Sequence, residues 1–236
     1  MPLPPAPALA AGSYILVDYQ TGDVLAQKNA DERLPMASLT KLMTAYIVFA
    51  ALKDGRLTLT EPVTISKAAW QTGGSRMFVK VGSEVPVLDL IEGMLVQSGN
   101  DATVALAEKV GGTQAGFVQM MNTYAQRLGL KSTHYDDADG LPQPTHYTTA
   151  RDLATLTVAL IRDFPRYYYI FKIKDFTWNH IKQPNRNGLL WSDPSVDGLK
   201  TGHTEAAGYC LIASAERRGM RLVSVVLDAP KWHSRE

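Results

Sequence analysis

The sequence predicts an α+β fold in which one antiparallel sheet is formed by both chain ends and packed by helices, with a mainly helical lobe inserted between them. Three observations carry this prediction. Short β-like runs with turn residues stand near the N-terminus, helix-length apolar stretches fill the middle, and β-like runs return after Pro165. At 236 residues the chain makes one large domain, or a domain with a sizeable inserted lobe. Folding at this size removes roughly 70% of the unfolded surface from water, so no disulfide staple is needed. Cys210 is the one cysteine and could not close a bridge within the chain.

Each element follows from local signals. The start, Met1-Pro2-Leu3-Pro4-Pro5-Ala6-Pro7, has neither a basic head nor an apolar stretch. Residues 1–12 therefore read as a disordered Pro-rich leader rather than an intact signal peptide, leaving 13–236 as the folded unit. Tyr14 to Asp18 and Asp23 to Gln27 flank Gln20-Thr21-Gly22, which predicts a hairpin. Met36 to Lys53 contains no Pro or Gly and is apolar nearly all round, with Gly55 as a stop, which predicts one long buried helix. Further helices are expected at Val87 to Val96, Ala102 to Val110, Gln114 to Leu128 (Phe117, Met121, Tyr124 and Leu128 on one face) and Ala150 to Arg162. The helical lobe spans roughly residues 58–150. Strands are expected at Lys174 to Trp178, Gly188 to Trp191, Val196 to Thr201, Gly208 to Ala215 and Arg221 to Asp228, with a hairpin at Arg217-Arg218-Gly219. The chain stops at Arg235-Glu236 without a capping signal, and a further C-terminal region is expected to be missing.

Composition excludes several function classes. With 24 Lys+Arg against 23 Asp+Glu, and no basic run, there is no electrostatic case for nucleic acid. The longest apolar stretch, Ala45 to Leu52, falls far short of the roughly 20 residues a membrane-crossing helix needs. The five histidines show neither HxxxH spacing nor a CxxC partner, so no metal site is expected. GxxxxGK and GxGxxG are absent, and no cofactor is expected either.

Three short motifs occur once each and in order: Ser38-Leu39-Thr40-Lys41, Ser98-Gly99-Asn100 and Lys200-Thr201-Gly202. Alone each is weak. At average residue frequencies about one SxxK is expected by chance, while KTG appears in roughly one chain in twenty. Their chemistry is coherent. A serine hydroxyl is a poor nucleophile until a base removes its proton, and Ser38 and Lys41, at i and i+3, share one helix face. They follow Pro35 at the start of the long helix, where free N–H groups favour developing negative charge. A lysine becomes a base only when desolvation or a second cation lowers its pKa well below about 10.4; Lys200 is the expected cation. Ser98 is placed to relay a proton to a leaving amine. Asn100 can offer its amide to substrate or to Lys41. Lys200 and Thr201, at the end of a strand, can bind a carboxylate, and Gly202 leaves the strand edge clear for an extended substrate.

In these motifs the sequence resembles the low-molecular-mass penicillin-binding proteins of the D-alanyl-D-alanine carboxypeptidase type. The resemblance covers most of the chain and includes Ala37 to Thr44, Ser98 to Ala102, Asn185-Arg186-Asn187-Gly188-Leu189-Leu190-Trp191 and Val196 to Thr204. It implies a β-lactamase/transpeptidase-like fold and a serine hydrolase acylated on Ser38. Lys41 would be the base, Ser98 and Asn100 the second catalytic element, and Lys200, Thr201, Gly202 and His203 the substrate strand. The resemblance further implies an oxyanion hole from the backbone N–H groups of Ser38 and His203, and a carboxylate-holding role for Arg235. The implied substrate is a peptidoglycan stem peptide ending in D-Ala-D-Ala, the implied inhibitors are β-lactam antibiotics, and the implied location is periplasmic. Family members usually continue into a β-rich domain and a C-terminal helix lying on the outer face of the inner membrane. Neither is in this sequence, so peripheral membrane association is expected of the full-length family and not of this chain.

Rival expectations are a D,D-endopeptidase, which would use the same residues, a serine β-lactamase, and a penicillin-binding sensor or scaffold without turnover. Against the lactamase, no glutamate occurs between Glu108 and Glu205 to position a deacylating water, and Asp136, Asp137 and Asp139 are weak substitutes. Gly73 to Met77 is expected to form a mobile rim over the site, and Tyr167-Tyr168-Tyr169 to pack a lobe.

Overall fold

Asp18 accepts at Oδ1 from the backbone N–H groups of Gln20 and Thr21, and Gly22 takes φ +77°. The chain thus reverses where the sequence predicts and joins β1 (Ser13–Asp18) to β2 (Val24–Lys28). The computed structural model describes residues 8–236, so residues 1–7 of the expected leader lie outside the described residues. The boundary at residue 12 needs correction. Ala11 is buried, and the Gly12 N–H donates to Asp228 O (3.0 Å) because the last strand extends past Ser13 and offers its carbonyls to the incoming chain.

The stretch expected as one helix starts as a 3-10 helix at Ala37–Thr40 and becomes α1 only at Lys41–Lys53. Every residue of α1 from Lys41 to Phe49 is buried, as its all-round apolar character requires. The inserted lobe follows with β3 (Pro62–Thr64), α2 (Lys67–Gln71), β4 (Glu84–Pro86), α3 (Val87–Leu95), α4 (Asn100–Gly111) and α5 (Gln114–Arg127). Ser66 and Thr113 cap α2 and α5 by accepting from Ala69 N and Gly116 N. α6 (Ala150–Asp163), capped by Thr149, lies across β1 and the last strand.

The hairpin β5 (Asp175–Trp178) and β6 (Ile181–Pro184) precedes α7 (Leu189–Ser192). α7 corrects the strand expected at Gly188 to Trp191. Asn187 Oδ1 accepts from Leu189 N, Trp191 N donates to Gly188 O, and the run closes into one helical turn. The chain ends in β7 (Val196–Thr204), β8 (Gly208–Arg217) and β9 (Met220–Ala229). These join the N-terminal hairpin in one antiparallel sheet of order β2-β1-β9-β8-β7. The sheet is therefore built from both ends of the chain, and β7 is an edge strand beside the Ala37–Thr40 turn. Tyr167 stacks on Phe49 of α1 with ring centroids 5.2 Å apart, and Tyr168 donates to Asp197 Oδ1 (3.0 Å).

Candidate active site

Ser38 sits in the 3-10 turn and Lys41 opens α1, so one turn of backbone sets their spacing. Lys41 Nζ donates to Ser38 Oγ (2.9 Å), Asn100 Oδ1 (2.7 Å) and the Asp139 carbonyl (2.6 Å), which uses all three ammonium protons. Two of these partners can only accept. The third is a hydroxyl. When Lys41 loses a proton it can therefore keep both obligate acceptors satisfied and turn its lone pair toward Ser38, whose O–H then donates.

Burial lowers the Lys41 pKa to about 8, against the raising influence of Asp139 and Asp137. This corrects the expected role of Lys200: after burial, Arg186 is the cation that lowers Lys41, while Lys41 in turn lowers Lys200. The Asp139 carboxyl is pushed up to about 6 by its own burial.

The second motif closes the floor. Asn100 is fixed in one orientation, Oδ1 on Lys41 and Nδ2 donating to Gly73 O (2.8 Å). Ser98 takes φ +66°, and its buried Oγ has no hydrogen-bond partner among the described residues. Asp101 accepts from Met77 N, Phe78 N and Val79 N, and the Asn100 N–H donates to Ser75 O (2.7 Å). The rim at Gly73 to Met77 is thus tied to α4 at several points.

β7 supplies the other wall. Lys200 is buried, donates to Thr201 O (3.0 Å), and is held well below the usual lysine range by burial and by Lys41, Arg186 and Arg235. Gly202 has a task beyond the one the sequence suggested. A Cβ there would lie 3.1 Å from Met36 O and 3.3 Å from Ser38 N, so the glycine lets the strand approach the serine turn. His203 is exposed and stacks on Tyr209 at 4.1 Å, while the Arg235 guanidinium lies 5.6 Å over the same ring. Arg235 Nη1 reaches Gly202 O and Cys210 O only at 3.4 and 3.5 Å, and its Nε has no partner among the described residues.

A cavity of about 640 Å³ lies between the walls, lined by Ser38, Ser98, Thr201, Gly202, His203 and Arg235, with Lys41, Asn100 and Lys200 buried around it. All nine candidate residues therefore converge. Sequence reasoning missed Arg186, which lines the cavity, and Asp139. An arginine between two asparagines was a signal for the first. The second contributes a backbone carbonyl, which no side-chain pattern reveals.

A profile of the D-alanyl-D-alanine carboxypeptidase family matches residues 3–231. The chain belongs to that family. It is 52% identical over 231 residues to the D-alanyl-D-alanine carboxypeptidase DacC of Escherichia coli, covering 95% of this chain and 58% of the relative. The chain thus spans about three-fifths of the length of such curated relatives. Among solved structures, penicillin binding protein 5 from Haemophilus influenzae superposes with TM-score 0.96 at 48% identity, covering 98% of this chain and 69% of that one. The ampicillin-bound penicillin-binding protein D2 from Listeria monocytogenes gives TM-score 0.89 at 33% identity, covering 98% and 95%. The family's β-lactamase/transpeptidase-like architecture is the fold described above.

Proposed function

We propose that residues 13–236 act as a serine D-Ala-D-Ala carboxypeptidase on peptidoglycan stem peptides in the bacterial cell envelope, on its periplasmic side, and that β-lactams acylate the same serine. The observation that carries this reading is the cradle of Lys41, whose third hydrogen bond is Ser38 Oγ at 2.9 Å. With a pKa of about 8, roughly one Lys41 in ten is neutral at pH 7, against fewer than about one in a thousand for an ordinary lysine.

Neutral Lys41 takes the Ser38 proton as Oγ adds to the carbonyl carbon of the penultimate D-alanine. The oxyanion is held by the N–H groups of Ser38 and His203, an interaction of several kcal/mol in acyl transfer. Collapse breaks the C–N bond. The proton from Lys41 passes through the unpartnered Ser98 hydroxyl to the leaving amine, and free D-alanine departs. Water then adds to the ester, Lys41 takes its proton, and Ser38 Oγ leaves as the hydroxyl. Thr201 offers the terminal carboxylate a hydroxyl donor, Arg186 and Arg235 give it a cationic wall, and the edge of β7 pairs with the peptide backbone. A strained β-lactam amide enters the same acylation and leaves an ester in place of a departing amine.

The test is the intact mass of the protein through an incubation with benzylpenicillin, with peptide mapping, beside D-alanine release from a D-Ala-D-Ala peptide. A persistent adduct on Ser38 and released D-alanine are expected. Cleavage of cross-linked dimers without D-alanine release would make the chain an endopeptidase, and rapid destruction of excess drug a β-lactamase. Labelling without any turnover would make it a sensor.

A further inference from the structure

Behind the serine turn, away from the cavity, three groups connect in a buried series that the reaction above does not use. The Asp136 N–H donates to His146 Nδ1 (3.0 Å), His146 Nε2 lies 2.7 Å from Thr40 Oγ1, and Thr40 Oγ1 donates to the Ala37 carbonyl (2.7 Å). The direction of every proton is determined. Nδ1 faces a backbone donor and must accept, so the neutral ring carries its proton on Nε2 and gives it to Thr40, whose one hydrogen goes to Ala37 O. Asp137 Oδ2 stands 3.9 Å from Nδ1, beyond hydrogen-bond length, and does not compete. Thr40 and His146 are both buried, and burial pushes the imidazole down to about 4, which keeps it neutral.

The series ends on a carbonyl of special position. Ala37 C=O and Ser38 N–H belong to one planar trans peptide, so their bonds point in opposite directions. Ala37 takes φ +47°, a conformation an alanine holds only when its surroundings impose it. On the carbonyl side, Gly140 (φ +90°) lies so close to Ala37 O that a Cβ would collide with it. On the amide side, Ser38 N faces Gly202 of β7.

We infer that Thr40 and His146 are positioning residues: by holding the Ala37 carbonyl they aim the Ser38 N–H into the oxyanion hole. They touch neither substrate nor the reacting atoms. A hydrogen bond accepted at the carbonyl also polarises the shared peptide and makes the N–H a better donor. The inference rests on the proposed role of Ser38 as nucleophile and oxyanion donor.

The experiment uses Thr40→Val, which removes the hydroxyl at nearly constant shape, Thr40→Ser, which restores it, and His146→Phe, with Ser38→Ala as control. Acylation by benzylpenicillin is resolved into a non-covalent dissociation constant and a first-order rate constant. Thr40→Val is expected to lower the rate constant about 10- to 100-fold, the usual cost of a small misplacement, with the dissociation constant unchanged. Thr40→Ser recovers most of the rate. The Thr40→Val, His146→Phe double variant is no slower than the slower single, because the two act in series. In difference infrared spectra, the acyl-ester carbonyl of Thr40→Val moves to higher frequency as its donor is mis-aimed, a change that general loosening of the fold does not predict. Should His146→Phe fail to fold, the Thr40 pair and the infrared shift still decide. A wild-type rate constant and carbonyl frequency in Thr40→Val would overturn the inference while leaving Ser38 in place. Labelling that survives Ser38→Ala would overturn the nucleophile assignment and the inference together.

Discussion

Lys41 and Lys200 lie buried behind the two walls of the same cavity, yet their surroundings differ. Lys41 has three acceptors and three nearby carboxylates, and burial brings its pKa down to about 8. Lys200 has one carbonyl, and three cations for neighbours, and is held well below the usual lysine range by burial and by those cations. The floor and helix side is a polar assembly completed before substrate arrives. The β7 side holds the guanidinium groups of Arg186 and Arg235, and Arg235 is short of partners among the described residues, a demand that an incoming carboxylate satisfies. Preorganisation serves the bond-making step on the first wall, and unmet charge serves recognition on the second.

The strongest test of this division is Ser38→Ala, which should abolish the benzylpenicillin adduct in intact mass spectra while near-ultraviolet circular dichroism stays unchanged. An adduct at any level near wild type would place the nucleophile elsewhere. Lys41→Ala should slow acylation about a thousandfold or more in stopped-flow measurements and leave non-covalent binding intact. Normal acylation would remove Lys41 from the reaction and erase the contrast with Lys200.

Arg235→Ala probes the recognition wall. It should raise KM for a D-Ala-D-Ala peptide about tenfold, the size of one hydrogen bond to a charged group, and have little effect on the C-terminal amide of the same peptide. Equal effects on both would show that Arg235 does not read the carboxylate. The smallest effect concerns pH. Acylation should rise with pH to a plateau with a midpoint near 8, because only neutral Lys41 accepts the proton. Asp139→Asn removes a carboxylate that favours the charged lysine but keeps the carbonyl that binds it, so the midpoint should move to lower pH. A midpoint that stays fixed or moves up would show that Asp139 does not tune the base.

How far the sequence could be read follows the same division by locality. Ser38 and Lys41 were legible because three residues of one turn place them together, and the sheet from both chain ends was legible because its long strands carry the β pattern. β3 and β4, at three residues each, are too short for any period to show. Gly188-Leu189-Leu190-Trp191 presents the composition of a strand, and only the Asn187 side chain turns it into a helix. The partners of Lys41 arrive from α4 and from the Asp139 backbone. The Asn100 link was legible in the second motif, the Asp139 carbonyl leaves no trace in residue spacing, and the cationic cluster that lowers Lys200 exists only after folding.

The edge position of β7 has a consequence for the protein's life in a crowded compartment. An unpaired strand edge ordinarily invites sheet-to-sheet association between copies. Here the edge lies against the Ala37–Thr40 turn, with Arg186 and Arg235 lining the cavity beside it. A single extended chain needs less room beside that turn than the edge of a second folded sheet, so the turn filters what can pair there. The feature that admits a ligand is also a safeguard against aggregation.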